Sequence, residues 1–186
     1  NSMEIMGTGG SSSRGLHIEA DVTNMTVKNN IFSAKGEGLP VHVDVPLTNL
    51  DWDYNCYYTT GNNLANFNGT NYSTVNTLGA AMGSDANSLN LYPFYSSDTD
   101  LSINNSQLQV GDYLNNLPLD IDGSLRNNPP TIGAKEFSGC SEDAGITRIV
   151  SPESPLSSTT QDIKVELTNH GNTTLTSATI AWSVNN

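Results

Sequence analysis

Apolar and polar residues alternate over short segments of the chain, which is the pattern of β-strands rather than helices. Leu16-His17-Ile18-Glu19 is one such segment, and Val41-His42-Val43-Asp44 repeats it 25 residues later. Residues 25–32 and 50–57 match each other in size and polarity with the same offset of 25. A fixed period of this length is typical of repeat architectures. The pattern predicts an all-β fold in which short parallel strands stack as rungs of a parallel β-helix.

Stacking of two rungs makes definite predictions about individual side chains. Parallel strands lie about 4.8 Å apart, so equivalent residues of successive rungs form ladders. Asn30 and Asn55 fall where each rung turns, and their amides are expected to hydrogen-bond along the stack. The predicted inward apolar ladders are Leu16 with Val41, Ile18 with Val43, Met25 with Leu50 and Val27 with Trp52.

The period divides the chain into three predicted parts. It fades near residue 60, and residues 61–84 are predicted to be a long polar excursion from the repeat. We expect β-helix rungs over residues 1–137, a small acidic linker at 138–144, and strands of a second domain at 145–186. Both ends interrupt strand-like segments, so the chain is expected to be a piece of a longer protein.

Two motifs carry a family resemblance. Residues 24–32 resemble the rung motif of bacterial right-handed parallel β-helix proteins, the pectate-lyase-like superfamily. Asp120-Ile121-Asp122-Gly123-Ser124-Leu125-Arg126, with Ile132-Gly133-Ala134-Lys135-Glu136 after it, is similar to the last rungs of those proteins. The resemblance implies a fold over residues 15–137 but no reaction, because this fold hosts lyases, hydrolases, epimerases and adhesins without activity.

The last part of the chain carries a second resemblance. Residues 145–150, 163–168 and 178–184 alternate as strands and are similar to the opening of the CARDB-type immunoglobulin-like domain of bacterial surface proteins. A complete sandwich of that kind needs about seven strands. The resemblance therefore implies a partial domain, whose open strand edge is expected to promote self-association.

The charge balance and the cysteine content restrict the classes of partner and the roles of the cysteines. The 186 residues include 7 basic and 19 acidic side chains, a net charge of −12, and the pI is near 4.3. This balance argues against nucleic acid or an anionic membrane surface as partner, and no apolar run reaches the ~20 residues of a membrane-inserted helix. Cys56 and Cys140 form no zinc-finger motif. Cys56 is expected to be a small buried hydrophobe, with a disulfide to Cys140 as the alternative.

Four polar residues of the repeat form the first candidate site. If Leu16 and Ile18 point inward, His17 and Glu19 point outward, and the next rung places His42 and Asp44 beside them. Such a two-by-two array of imidazoles and carboxylates suits a divalent cation, zinc or calcium, or acid–base chemistry. The alternative is a solvated face with ordinary His–carboxylate pairing. No cofactor is certain from the sequence.

A second candidate site lies on the other repeated strand. Lys28, Asp51 and Asp53 are outward, and Lys28 with Asp53 is most simply an ion pair between rungs. In polysaccharide lyases of the resembled superfamily a basic residue removes a proton beside a cation-neutralised carboxylate, so these residues are also candidates for carbohydrate binding. Tyr58, just beyond the repeat, is the best candidate for stacking on a sugar.

A third group has a structural role in the prediction. Asp122 and Gly123 are expected to form a turn, and Arg126 is expected to bridge Asp120 or Glu136 and close the terminal rung. The Asp120–Gly123 stretch resembles a calcium loop only superficially, because the further oxygen ligands are missing.

The predicted function is correspondingly broad. We expect a piece of a secreted or bacterial cell-surface protein that binds a polysaccharide or surface glycan, or acts as a structural spacer. The alternative is part of a polysaccharide lyase or glycosidase acting on acidic polysaccharide. No catalytic residue is identified, and the charge of −12 weakens the lyase alternative because an acidic substrate is repelled.

Overall fold

The structure, a computed structural model, describes residues 1–6, 12–137, 139, 144–151, 162–169 and 174–183. The chain divides into two compact units, Asn1–Phe137 and Ser138–Asn186. The predicted linker at 138–144 lies outside the described residues except for residues 139 and 144, and so does Cys140.

The first unit is built mainly from short strands. In chain order these are β1 (Ser2–Met6), β2 (Arg14–Ile18), β3 (Thr23–Lys28), β4 (Ile31–Lys35), β5 (Leu39–Val43), β6 (Thr48–Asp53), β7 (Cys56–Thr59), β8 (Ala65–Phe67) and β9 (Thr70–Tyr72). The helix α1 (Val75–Met82) and a 3₁₀ turn (Ser106–Leu108) come after them. The mostly β character agrees with the predicted all-β class.

The offset of 25 residues is confirmed as a parallel register. β2 pairs with β5 so that Leu16 lies beside Val41 and His17 beside His42. β3 pairs with β6 so that Val27 lies beside Trp52. The main core is made of apolar residues from the strands, from the β7–β8 connection and from α1: Ile18, Phe32, Val41, Val43, Trp52, Tyr57, Leu64, Ala65, Val75 and Leu78.

Asparagine fills the corners as predicted. Asn24, Asn29 and Asn49 have φ values of 56–57°, in the left-handed region that asparagine tolerates better than most residues. Asn30 donates from Nδ2 to Oδ1 of Asn55 over 3.1 Å, and its backbone N–H donates to the same oxygen over 3.0 Å. Asn55 is fully buried. The predicted amide ladder therefore satisfies buried backbone groups at these turns.

The predicted right-handed parallel β-helix is wrong. The strands form several small separate sheets: β1-β4-β7, the mixed sheet β2-β5-β8-β9, and the two-stranded β3-β6. Within the described residues none of these sheets closes or has the form of a solenoid. After β8 the chain reverses, and β9 pairs with β8 antiparallel instead of starting another parallel strand. The repeat therefore sets local pairing without extending it into a β-helix.

The predicted polar excursion at 61–84 is also wrong, because β8, β9 and α1 lie within it. Thr74 caps the start of α1 by accepting a hydrogen bond from the backbone N–H of Thr77, and Gly83 ends the helix with a left-handed φ of 69°. Leu78 points into the core. Of the helices in the described ranges, none has the length and apolar character needed to cross a membrane.

The described part of the second unit contains one antiparallel pair, β10 (Ala144–Ser151) with β11 (Lys164–Asn169). These strands fall on the first two predicted segments. The third predicted strand is not formed over its described part, because residues 174–183 contain no assigned strand. A two-stranded sheet is not an immunoglobulin-like sandwich, so the CARDB-type domain is not supported and that resemblance is wrong. Self-association through this edge remains a prediction.

Candidate functional site

The structure brings the predicted histidine and carboxylate residues together. The β2–β5 register places the His17 and His42 rings 4.9 Å apart between centroids, edge to face. Asp44 comes directly after β5 and contacts both: its Oδ2 lies 2.7 Å from His17 Nε2, and its Oδ1 lies 2.7 Å from His42 Nε2. Glu19 lies 3.1 Å from His17 Nδ1. We call His17, Glu19, His42 and Asp44 the histidine cluster.

Arg14 joins the histidine cluster, although its place there was not predicted from the sequence. Its Nη1 lies 2.7 Å from His17 Nε2. A hydrogen bond from His17, and a smaller contribution from the one with His42, hold the pKa of the Asp44 carboxyl below its usual value. Within the described residues, neither His42 Nδ1 nor Arg14 Nε has a hydrogen-bond partner, although both atoms are buried. The cluster is therefore close-packed but its hydrogen bonding is incomplete.

Lys28 lies in a different ion pair from the predicted one. Its Nζ contacts Asp51 at 2.8 Å and Asp112 at 3.0 Å. Asp53 lies beside Lys28 in the register but accepts hydrogen bonds from the backbone and side-chain N–H groups of Asn87 instead. The predicted Lys28–Asp53 ion pair is therefore wrong, and Asp112 is the residue that the sequence did not reveal.

These contacts limit what Lys28 does chemically. The hydrogen bond to Asp51 raises the pKa of Lys28, and Asp112 raises it further against the opposing effect of burial. A lysine held by two carboxylates stays protonated, whereas a general base has to be unprotonated. The geometry therefore gives Lys28 an ion-pairing role between β3, β6 and the segment around residue 112.

Tyr58 lies in a row of three aromatic rings. Its ring centroid is 4.7 Å from that of Tyr92, and Tyr92 is 4.6 Å from Phe94. Phe94 is 53% exposed, and its backbone has a φ of 51°. The carbonyl of Phe94 accepts hydrogen bonds from both the backbone and the side-chain N–H groups of Asn104. We call Tyr58, Tyr92 and Phe94 the aromatic row.

The predicted terminal group is a hydrogen-bonded loop. Arg126 Nη1 pairs with Glu136 Oε1 at 2.9 Å. Burial alone raises the pKa of Asp120, but bonds from the backbone N–H groups of Glu136, Ser124 and Asp122 outweigh it and lower the pKa. Since these donors occupy both Asp120 oxygens, the carboxylate orders the loop rather than facing an open cation site.

Two further predicted residues complete this loop. Asp122 pairs with Lys135 at 2.9 Å. Gly123 turns the chain with a φ of 82°, a conformation that glycine adopts without strain. Of the two partners predicted for Arg126, the hydrogen bond goes to Glu136.

Cys56 is a free, buried thiol, as the hydrophobe interpretation predicts. Burial raises its pKa to about 12, and the thiol donates to the carbonyl of Leu91. Such a buried thiol stays protonated at neutral pH, which makes it a poor nucleophile.

The comparisons with known proteins add no family to this picture. No family model matches the chain, and the searches of curated proteins and of solved structures found no match to it. The resemblances to the pectate-lyase-like superfamily and to the CARDB-type domain are therefore unsupported by relatives as well as by the fold. The geometry of the histidine cluster and of the aromatic row is what bears on function.

Proposed function

We propose that the protein binds a neutral glycan through the aromatic row, as part of a secreted or cell-surface protein. The observation that carries the proposal is Phe94, a residue that is more than half exposed on a left-handed backbone. A bulky residue with positive φ is an outlier that costs on the order of 1 kcal/mol or more. Strain of this kind persists where the surrounding structure holds it, and it clusters at binding sites.

The local structure holds Phe94 in place. Asn104 donates twice to the Phe94 carbonyl, and Tyr95 bridges Ile103 in antiparallel fashion on the other side of the loop. The Tyr92 ring supports the Phe94 ring from the side. A preorganised aromatic surface suits the apolar face of a sugar ring, because little side-chain entropy is lost on binding.

The charge of the chain favours a neutral ligand. With a net charge of −12 the chain repels acidic polysaccharides. The alternative of a polysaccharide lyase also needs a basic group that accepts a proton, and Lys28 is held protonated by Asp51 and Asp112. We therefore favour binding over cleavage, and a role as a spacer is the outcome if no glycan binds.

The Phe94→Gly substitution is expected to lower glycan affinity while leaving the free energy of unfolding nearly unchanged. We expect neutral-glycan affinity to fall at least tenfold, about 1.4 kcal/mol, because the exposed ring is lost. Relief of the left-handed strain offsets the lost contact with Tyr92, so the free energy of unfolding changes by less than about 1 kcal/mol. Glycan-array binding followed by calorimetry measures the first quantity, and urea denaturation measures the second.

Tyr113→Ala is the matched control, because Tyr113 is a partly exposed tyrosine outside the aromatic row. It is expected to leave glycan affinity unchanged, whereas Tyr92→Ala lowers it. Equal affinities of the parent and the Phe94→Gly protein would contradict the proposal. So would a parent protein that binds no neutral glycan at millimolar concentration, a result that supports the spacer role instead.

A further inference from the structure

We propose that the histidine cluster is a binding site for Zn²⁺ or a similar divalent transition metal, with His17, His42 and Asp44 as ligands. One ligand atom from each of these residues lies within 4.8 Å of the others. Two imidazole nitrogens and a carboxylate oxygen are a donor set that selects zinc and related metals over Ca²⁺ and Mg²⁺, which prefer oxygen ligands. The inference is independent of the aromatic row.

The Asp44 carboxylate needs only a small displacement to accept a metal. Asp44 oxygens lie 2.7 Å from the Nε2 atoms of His17 and of His42. Tetrahedral zinc with bonds of about 2.0–2.1 Å separates its ligand atoms by about 3.3 Å. Rotation of the exposed Asp44 side chain moves its oxygens by a few tenths of an ångström and lengthens their distances to the two Nε2 atoms accordingly. The imidazole nitrogens lie within 4.8 Å of each other, so the two rings also turn toward the metal, while their strands, β2 and β5, stay paired in register.

Hydrogen bonding alone does not satisfy the cluster. The Nε2 atom of His17 lies 2.7 Å from both an Arg14 guanidinium nitrogen and an Asp44 carboxylate oxygen. An imidazole nitrogen with a proton donates to Asp44 but then faces the Arg14 donor, and one without a proton accepts from Arg14 but then faces the Asp44 acceptor. The same Arg14 nitrogen also lies 3.1 Å from His17 Nδ1, which the Glu19 carboxylate contacts as well. Each neutral tautomer of His17 therefore leaves one carboxylate facing a nitrogen without a proton. A metal ion on Nε2 removes this conflict, since it bonds both the nitrogen and the carboxylate.

Arg14 opposes metal binding at the histidine cluster. Its guanidinium lies 2.7 Å from His17 Nε2 and 3.1 Å from His17 Nδ1, close enough to repel a metal cation bound at Nε2. Metal binding has to displace this positive charge, and the exposed Glu19 carboxylate, which contacts His17 Nδ1, is the neighbouring acidic group. Arg14 is thus a competitor that lowers metal affinity, and its removal is expected to raise that affinity.

The test is titration of the metal-stripped chain with ZnCl₂ by calorimetry, and with CoCl₂ by visible absorption. The parent is expected to bind one equivalent of Zn²⁺ and to give the absorption bands of four-coordinate Co²⁺. His17→Ala lowers Zn²⁺ affinity at least thirtyfold, and Asp44→Asn lowers it about tenfold. Arg14→Met raises Zn²⁺ affinity about tenfold, whereas CaCl₂ gives no binding heat.

The control variant is His170→Ala, which changes the third histidine of the chain and is expected to leave Zn²⁺ affinity as in the parent. Asp44 is 45% exposed, so Asp44→Asn folds even if His17→Ala does not, and far-ultraviolet circular dichroism checks both. Absence of Zn²⁺ binding at 100-fold molar excess overturns the inference. It is also overturned if Asp44→Asn binds like the parent, or if Arg14→Met binds more weakly.

Discussion

Replacement of Arg126 by alanine is expected to lower the free energy of unfolding by about 3–5 kcal/mol, the range for breaking a buried ion pair from one side. Only 14% of the Arg126 side chain and 9% of the Glu136 side chain are exposed. Besides Glu136, the guanidinium donates to the carbonyls of Thr131, Gly133 and Ala134 over 2.9–3.2 Å. Its loss leaves a buried carboxylate without its cation and three carbonyls with fewer donors.

The network around Glu136 explains why the effect should be large. Its carboxylate also accepts from the backbone N–H and hydroxyl groups of Thr131 and from the side-chain amide of Asn127. These bonds keep Glu136 in place, so it cannot turn to water when Arg126 is removed. Urea denaturation monitored by Trp52 fluorescence measures the loss, because Trp52 is buried in the same unit.

Two variants control this experiment. Lys135→Ala breaks the Lys135–Asp122 ion pair, which is on the surface, and is expected to leave the free energy of unfolding almost unchanged. Arg126→Lys keeps the charge but loses the planar fork that bonds several acceptors at once, so it should fall between the parent and Arg126→Ala. A loss below about 1 kcal/mol in Arg126→Ala would mean that the loop does not depend on this network.

The parallel registers were predictable because they depend on spacing alone. Strand side chains alternate with a period of two, so a shift of one residue would move Val41 and Val43 from the core to solvent. The repeat therefore fixes which residues of β2 and β5 lie side by side. The same reasoning puts Trp52 in the core and Asn30 against Asn55, and the structure has both.

The larger architecture was not predictable from two copies of a repeat. Pairing of β2 with β5 says nothing about the course of the next segment, and β9 turns back on β8. The helix α1 had detectable signals in Thr74 and Gly83. Gly79 inside the helix obscured them, and its place there is set by packing, since a Cβ atom would lie 2.7 Å from the carbonyl oxygen of Ser84.

Partners from outside the repeat were also not predictable. Lys28 donates a hydrogen bond to Asp112, which lies 84 residues further along the chain, and Asp53 accepts one from Asn87. Neither partner lies in a periodic segment, so the sequence pattern gives no reason to bring it there. The histidine cluster was predictable as far as it depends on the β2–β5 register. The position of Arg14 was not, because its side chain leans along the strand toward His17.

Asp85 is a buried carboxylate whose ionisation makes the free energy of unfolding depend on pH. The Tyr57 and Ser88 hydroxyl groups donate to its two oxygens. Each hydroxyl already accepts a bond, Tyr57 from the indole N–H of Trp52 and Ser88 from the backbone N–H of Asn55. Burial raises the Asp85 pKa from 3.8 to about 6, although the bonds from Ser88 and Tyr57 oppose this.

The sign of the pH effect depends on where the proton binds. Between pH 4 and pH 6 the folded chain holds a proton on Asp85 that the unfolded chain has lost. The contribution of Asp85 to stability is therefore fully present below pH 3.8 and is lost as the pH rises through about 6. A shift of about two pKa units corresponds to about 3 kcal/mol. Asp44, Asp100 and Asp120 have lowered pKa values and act in the opposite direction.

Asp85→Asn isolates this contribution, because asparagine has nearly the same shape and does not ionise. We subtract the free energy of unfolding of the parent from that of Asp85→Asn at each pH. This difference is expected to rise by about 3 kcal/mol between pH 4 and pH 8. The opposing carboxylates are the same in both proteins, so their effects cancel in the difference. Urea denaturation of both proteins across this range measures it through Trp52 fluorescence. Parallel curves would show that Asp85 titrates alike in the folded and unfolded chains, and that burial does not govern its ionisation.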